Sequence, residues 1–151
     1  MSILKIVNGS YTNSDAVQKL FSYITDYEKS EGYVYGHNVI PELTVQMFMT
    51  VKSLYSKING KQVIHFIISF SPDETVTAEA LFELSKYVSR YFYGYQVLFA
   101  VHTSQKCLHV HFMVNTISFI DGRRLECTRE FKEAFLTYCT GIPYLNMRGY
   151  V

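Results

Sequence analysis

Two apolar runs, Tyr95 to His102 and Leu108 to Ser118, flank the polar turn Thr103 to Cys107. Rich in β-branched and aromatic residues and short for helices, they read as two strands joined by a hairpin. Within them, in the string HTSQKCLHVHFMVN, fall three of the five histidines. Residues two apart on a strand share a face, so His109 and His111 project side by side. His102 ends the preceding strand, and the hairpin folds it back beside them. A lone histidine on an apolar strand is ordinarily a hydrogen-bonded core residue. Three imidazoles converging on one spot instead make a metal-binding geometry with open coordination positions.

The rest of the chain supplies a frame for this hairpin. Ile3 to Val7 reads as a short strand. Ser14 offers an N-cap for a helix whose apolar positions are Val17, Leu20, Phe21 and Ile24, ending near Glu28 or Lys29. Ser30 to Ile40, with Gly32 and Gly36 among tyrosines, reads as a mobile loop that exposes His37. Pro41 opens a second helix through Tyr55, and Asn59-Gly60 stops it. Val63 to Phe70 is a largely buried strand. Thr77 to Phe92 is a third helix, Asp121-Gly122 a hairpin turn into a strand over Arg123 to Cys127, and Thr128 the cap of a last helix through Cys139. The expected architecture is α+β: a two-layer sandwich of a mainly antiparallel five-stranded sheet with helices packed mainly on one face, forming a single domain over 1–151.

Composition narrows the function classes. Fourteen Lys and Arg against 13 Asp and Glu leave a net charge of +1, too little for a strong binder of duplex DNA. Cys107, Cys127 and Cys139 show no metal-type spacing and read as reduced cytosolic thiols. The N-terminal apolar run is too short for a secretory signal, and no stretch approaches the ~18 apolar residues of a membrane span. A cytoplasmic protein without a membrane partner is expected.

Among 13 tyrosines, of which composition singles out none, the first helix supplies one candidate nucleophile. At ~100° per residue, Tyr23 lies ~110° from the centre of the first helix's apolar stripe, on the border of that face, where its hydroxyl can reach a cleft. Tyr27 lies nearer the stripe and reads as packing. The order of segments around Tyr23 resembles the nuclease domain of mobilisation relaxases, within the histidine-hydrophobic-histidine endonuclease superfamily. The family's tyrosine segment, Y-I-[TS]-x-x-x-K, matches Tyr23, Ile24, Thr25 and Lys29. Its second segment, H-x-x-x-S-F followed by Pro and an acidic residue, matches His65, Ser69, Phe70, Pro72 and Glu74. Its third matches His102, His109, His111 and Asn115. The matches span residues 10–140 in order, and the histidine segment is the specific one.

The resemblance implies a metal-dependent, site- and strand-specific endonuclease acting on single-stranded DNA at an origin of transfer through a 5′-phosphotyrosyl intermediate. Tyr23 is then the nucleophile, and His102, His109 and His111 hold one divalent ion. Mg2+ or Mn2+ suits the phosphodiester reaction, and Zn2+ or Ni2+ suits the nitrogen ligands. Neighbours of the site or contacts to DNA would be His65, Asn115, Lys29, Lys61, Arg123, Arg124 and Tyr27, with Tyr33 and Tyr35 as base-stacking residues. Asn115 either holds a phosphate oxygen or, as preferred, ties its strand to a neighbour. Ser104 stands two residues after His102, where many relatives carry an Asp that orients an imidazole or helps deprotonate the nucleophile. Relatives usually continue into a long C-terminal region, whereas this chain stops at Val151. An accessory DNA-binding or coupling protein is an expected partner. Alternatives are a replication initiator or transposase using a tyrosine after the histidines, for which Tyr138 serves, and a non-cleaving metal- and DNA-binding accessory protein of a mobile element. A two-histidine phosphoesterase needs two H-x-[ST] motifs, of which His102-Thr103-Ser104 is the single instance.

Overall fold

The histidine hairpin lies inside a six-stranded sheet. A computed structural model describes residues 2–103 and 106–145, and the backbone of 147–150. The strands are β1 (Ser2–Ile6), β2 (Val34–His37), β3 (Val63–Phe70), β4 (Val97–His102), β5 (His109–Asn115) and β6 (Met147–Tyr150). Their order is β2-β4-β5-β3-β1-β6. Neighbours are antiparallel except β1 and β6, which are parallel. The helices are α1 (Ala16–Ile24), α2 (Tyr27–Ser30), α3 (Thr44–Leu54), α4 (Ala78–Ser89) and α5 (Arg129–Thr140), with a 3-10 turn at Pro41–Leu43 leading into α3.

Every residue of β4 and β5 is buried, so the central strands need cover on both faces. On one face Phe66, Phe99 and Phe112 pack with Leu81 and Val88 of α4 and Phe135 and Cys139 of α5. The Phe66 and Phe112 rings stack there at 4.4 Å. On the other face Val63, Leu98 and Met113 pack with Val17, Leu20 and Ile24 of α1 and Phe48 of α3. Burying each such phenylalanine or leucine contributes ~1.5–3 kcal/mol. His109 and His111 alternate with Val110 and Phe112, which puts the imidazoles under α1 and leaves the opposite face aromatic.

The α+β class and the mainly antiparallel sheet are as expected. The helices, however, lie on both faces, so a third layer is added to the expected two. The reason is the two-sided apolar character of β3, β4 and β5, which helices on one face cannot cover. Residues 30–40 are likewise no mobile loop throughout. Val34–His37 pairs with Val97–Ala100 as the edge strand β2, because Tyr35 finds aromatic partners in Phe82 and Phe99 and such pairs outweigh the glycine at position 36.

Two further expectations are corrected. Residues 123–127 form no strand beyond an isolated bridge between Ile117 and Arg124. There the Asp121-Gly122 turn closes through Gly122 N–H donating to the Ser118 carbonyl, and the edge beyond β4 belongs to β2. The first helix stops at Ile24, short of Glu28, because the Thr25 hydroxyl competes for the Phe21 carbonyl and Asp26 leaves the helical region, at ψ 120°, to cap a new turn by accepting from Glu28 N–H. Its N-cap is Asp15, with no side-chain capping bond, in place of Ser14. Strand β6 was not foreseen.

Candidate metal centre and nucleophile

Strand pairing brings the triad together. His102 and His109 are direct cross-strand partners, and Ala100 opposes His111. The ring centroids lie 5.1 Å apart for His102–His109, 4.2 Å for His102–His111 and 5.0 Å for His109–His111. One ligating nitrogen from each ring lies within 4.8 Å of the other two. All three residues are buried.

Two of the rings are oriented by main-chain carbonyls, which only accept. His102 donates from Nε2 to the Ile24 carbonyl at 2.9 Å, and His109 from Nδ1 to the Cys107 carbonyl at 3.1 Å. Each therefore keeps its other nitrogen as a lone-pair donor. Burial, with the neighbouring His102 and His65, pushes His111 down to about 2. Burial likewise lowers His102 and takes His65 to about 4. These imidazoles are neutral at pH 7, the form a metal needs. Three nitrogen donors on one side fit a divalent ion and would leave its remaining positions to ligands from the groove.

Tyr23, near the end of α1, stands at the mouth of this cluster. Its ring meets His111 edge-on at 5.5 Å and His102 at 5.9 Å, and the residue is 45% exposed. Lys29 of α2 places its ammonium 4.2 Å from the Tyr23 ring centroid, while a looser contact of 3.8 Å ties it to Asp26. The break between α1 and α2 makes this approach feasible, since it turns Lys29 back over Tyr23. His65 lies behind His111, on the neighbouring strand, with Nε2 2.9 Å from His111 Nδ1. Asn115, four residues along β5, is buried and donates to the Phe48 carbonyl at 3.2 Å and to Gln96 Oε1 at 2.9 Å.

Other expected residues lie elsewhere. Tyr27 is 73% exposed because the chain leaves the axis of α1 before reaching it, so it does not pack. Tyr33 and Tyr35 turn to the α4 face, where the Tyr33 hydroxyl donates to Glu79 at 2.6 Å; neither faces the histidines. His37 is paired in β2 with Val97 and half-buried. Arg123 and Arg124 follow the far end of β5, beyond Asn115. The Arg124 guanidinium is committed to the Lys61 and Asn59 carbonyls at 3.2 and 2.9 Å, and Lys61 lies at that end too. Tyr138, on α5, donates to the Tyr87 carbonyl at 2.6 Å, with the aromatic core on the sheet face away from the triad. Ser104 lies outside the described residues.

Sequence reasoning missed Tyr11, whose hydroxyl lies 2.9 Å from His65 Nδ1, and the Ile24 carbonyl that orients His102. It also missed Lys52 of α3, which is fully buried and donates to the Gln62 carbonyl at 2.8 Å and Thr116 Oγ1 at 3.2 Å. A lysine inside the stripe Phe48, Val51, Tyr55 was the available signal for the last.

Comparison with known proteins agrees with this geometry. The chain is 26% identical to the group II intron-interrupted relaxase LtrB of Lactococcus lactis subsp. cremoris, strain MG1363, over 151 aligned residues. The same protein from L. lactis subsp. cremoris matches equally. The match covers 80% of this chain and 26% of those relatives, so the chain spans about a quarter of their length. Residues 23–141, from Tyr23 through the whole histidine hairpin to the end of α5, match the model of the relaxase nuclease domain, MobA/VirD2-like. The chain therefore belongs to the MobA/VirD2-like relaxase nuclease family.

Proposed function

We propose that this domain, acting as one nuclease unit over 1–151, is a metal-dependent transesterase that nicks one strand of DNA at an origin of transfer. The observation that carries the reading is the half-exposed Tyr23 set edge-on against His111 and His102, 5.5 and 5.9 Å away. A divalent ion held by His102, His109 and His111, with Mg2+ or Mn2+ suited to the reaction, supplies positive charge to the oxygens of the scissile phosphate. Tyr23 Oη forms the new bond to phosphorus while the bond to the 3′ oxygen breaks. The tyrosine proton leaves to solvent, and the departing oxygen gains a proton as a 3′-hydroxyl. A 5′-phosphotyrosyl link remains, and the step can reverse because it exchanges one phosphodiester for another. Lys29 braces the Tyr23 ring and offers its ammonium to a neighbouring phosphate. The partners of such an enzyme are single-stranded DNA and an accessory DNA-binding or coupling protein, in the cytoplasm.

The test uses end-labelled single-stranded oligonucleotides covering transfer-origin sequences, with Mn2+, read on a denaturing gel. The wild type should give a slow-migrating covalent adduct, and Tyr23→Phe, which removes only a hydroxyl, should give none while keeping its circular dichroism. An adduct that persists in Tyr23→Phe overturns the nucleophile. Absence of any adduct from the wild type across the panel favours the non-cleaving accessory reading.

A further inference from the structure

His111 differs from the other two members of the triad in how its ring is oriented. His102 and His109 each donate to a main-chain carbonyl, which leaves no freedom in their tautomers. His111 Nδ1 instead meets another imidazole, His65 Nε2, at 2.9 Å. The two rings lie nearly parallel, with centroids 5.2 Å apart and planes 24° from coincidence. That hydrogen bond can run in either direction, and only one direction leaves the His111 Nε2 lone pair free for a metal.

The direction is set one residue further out. Tyr11 Oη lies 2.9 Å from His65 Nδ1, its ring edge-on to the imidazole at 6.0 Å. If His65 donates from Nδ1 to Tyr11 Oη, its Nε2 accepts from His111 Nδ1–H. If Tyr11 donates instead, His65 Nε2–H takes the acceptor place on His111 and the ligating nitrogen carries the proton. Tyr11 is built to hold its position. Its backbone is left-handed, with φ 47°, its carbonyl accepts from Gln62 N–H at 2.8 Å, and its ring lies so close to Gly9 that a Cβ there would come within 2.5 Å of it. Tyr11, His65, Leu20 and Tyr23 line one open groove of about 500 Å³, into which the Tyr11 hydroxyl proton can turn.

We propose that Tyr11 and His65 are positioning residues: a chain Tyr11–His65–His111 holds His111 in the tautomer that ligates through Nε2. The proposal rests on the reading of the triad as a metal site. It assigns the His65 proton to Nδ1 and the His111 proton to Nδ1. Partners of metal-ligating imidazoles fix both ring angle and basicity, and their loss typically weakens metal binding ~10–100-fold.

Calorimetric titration of the metal-stripped protein with Zn2+ and Mn2+ gives the first test, with a His109→Ala/His111→Ala double variant as the zero. His65→Phe, which keeps an aromatic ring and removes the acceptor, should weaken binding ~10–100-fold, and Tyr11→Phe about tenfold. His65→Gln puts an amide oxygen within reach of His111 Nδ1–H and should restore most of the affinity. A merely structural role would lower the melting temperature of the metal-free protein in step with affinity, with no rescue by glutamine. Long-range 1H–15N spectra of the Zn2+-loaded wild type read the tautomers directly, and protons on Nδ1 of both His65 and His111 are expected. A proton on His65 Nε2, or unchanged affinity in both Tyr11→Phe and His65→Phe, overturns the chain while leaving the metal site standing. Failure of the wild type to bind either ion overturns the metal site, and the chain with it.

Discussion

At the scale of single residues, strand geometry alone accounts for the triad. The period of two pairs His109 with His111, and the hairpin register opposes His102 to His109; both were legible in the string HTSQKCLHVHFMVN. Tyr11 was not legible, because its partner His65 lies 54 positions away and its loop has no periodicity to read. Lys52 lies inside the apolar stripe of α3, and burial, with the Arg124 charge adding to it, pushes its ammonium down to about 7. An unfolded lysine titrates near ~10.4. Below pH 7 the amine is charged in both states and the cost of burying it is fully present. Between about 7 and ~10.4 the unfolded chain binds more protons, so folding stability gains with pH by up to ~1.4 kcal/mol per unit from this group. Lys52→Met should abolish that gain. Urea midpoints of wild type and variant should therefore converge or cross in favour of the wild type from pH 7 to 9.5, and differences that stay constant with pH would refute the assignment.

Element by element, long periodic segments were the most legible. α3, α4 and α5 and strands β3, β4 and β5 stand close to where hydrophobic spacing puts them. Elements specified by their partners were not. β2 contains only four residues, one of them glycine, and exists because β4 offers an open edge and Phe82 and Phe99 receive Tyr35. The kink between α1 and α2 depends on Thr25 and Asp26 side chains that compete with the helix for its own backbone groups. That kink places Lys29 over Tyr23. Gly36 shows the constraint on β2 most directly, since a Cβ there would lie 2.1 Å from the Val39 carbonyl oxygen. The clash is with backbone, so the turn from β2 towards Pro41 must shift. Gly36→Ala should destabilise the protein by ~1–3 kcal/mol in urea unfolding. The triad, whose His102 lies four positions along β4 from Leu98, the partner of Gly36, should keep its metal affinity. A change below ~0.5 kcal/mol would mean that the edge strand yields freely.

On the scale of the whole molecule, charge and shape decide what kind of nucleic acid can reach the site. The net charge is +1, and the cations beside the groove are partly neutralised: Lys19 by Asp15 at 2.9 Å, Lys29 more loosely by Asp26 at 3.8 Å. No helix of the described residues is long and apolar enough to cross a membrane. The histidines are buried beneath α1, with Tyr23 at the rim, so a phosphate must come down to the imidazoles. A single strand can bend one phosphate into that cleft; a stiff duplex, held at a distance by α1 and α2, cannot without local melting. Binding should therefore favour single-stranded over random duplex DNA of equal length. With about two to four phosphates contacted, the log–log salt slope should be shallow, about −1.4 to −2.8, at ~0.7 per phosphate. Lys29→Ala should reduce its magnitude by ~0.7. Fluorescence anisotropy across a salt series, using Tyr23→Phe so that no covalent adduct forms, measures all three quantities. Equal or tighter binding to random duplex, or a slope untouched by Lys29→Ala, would mean that the strand is held by a surface other than the groove beside Tyr23.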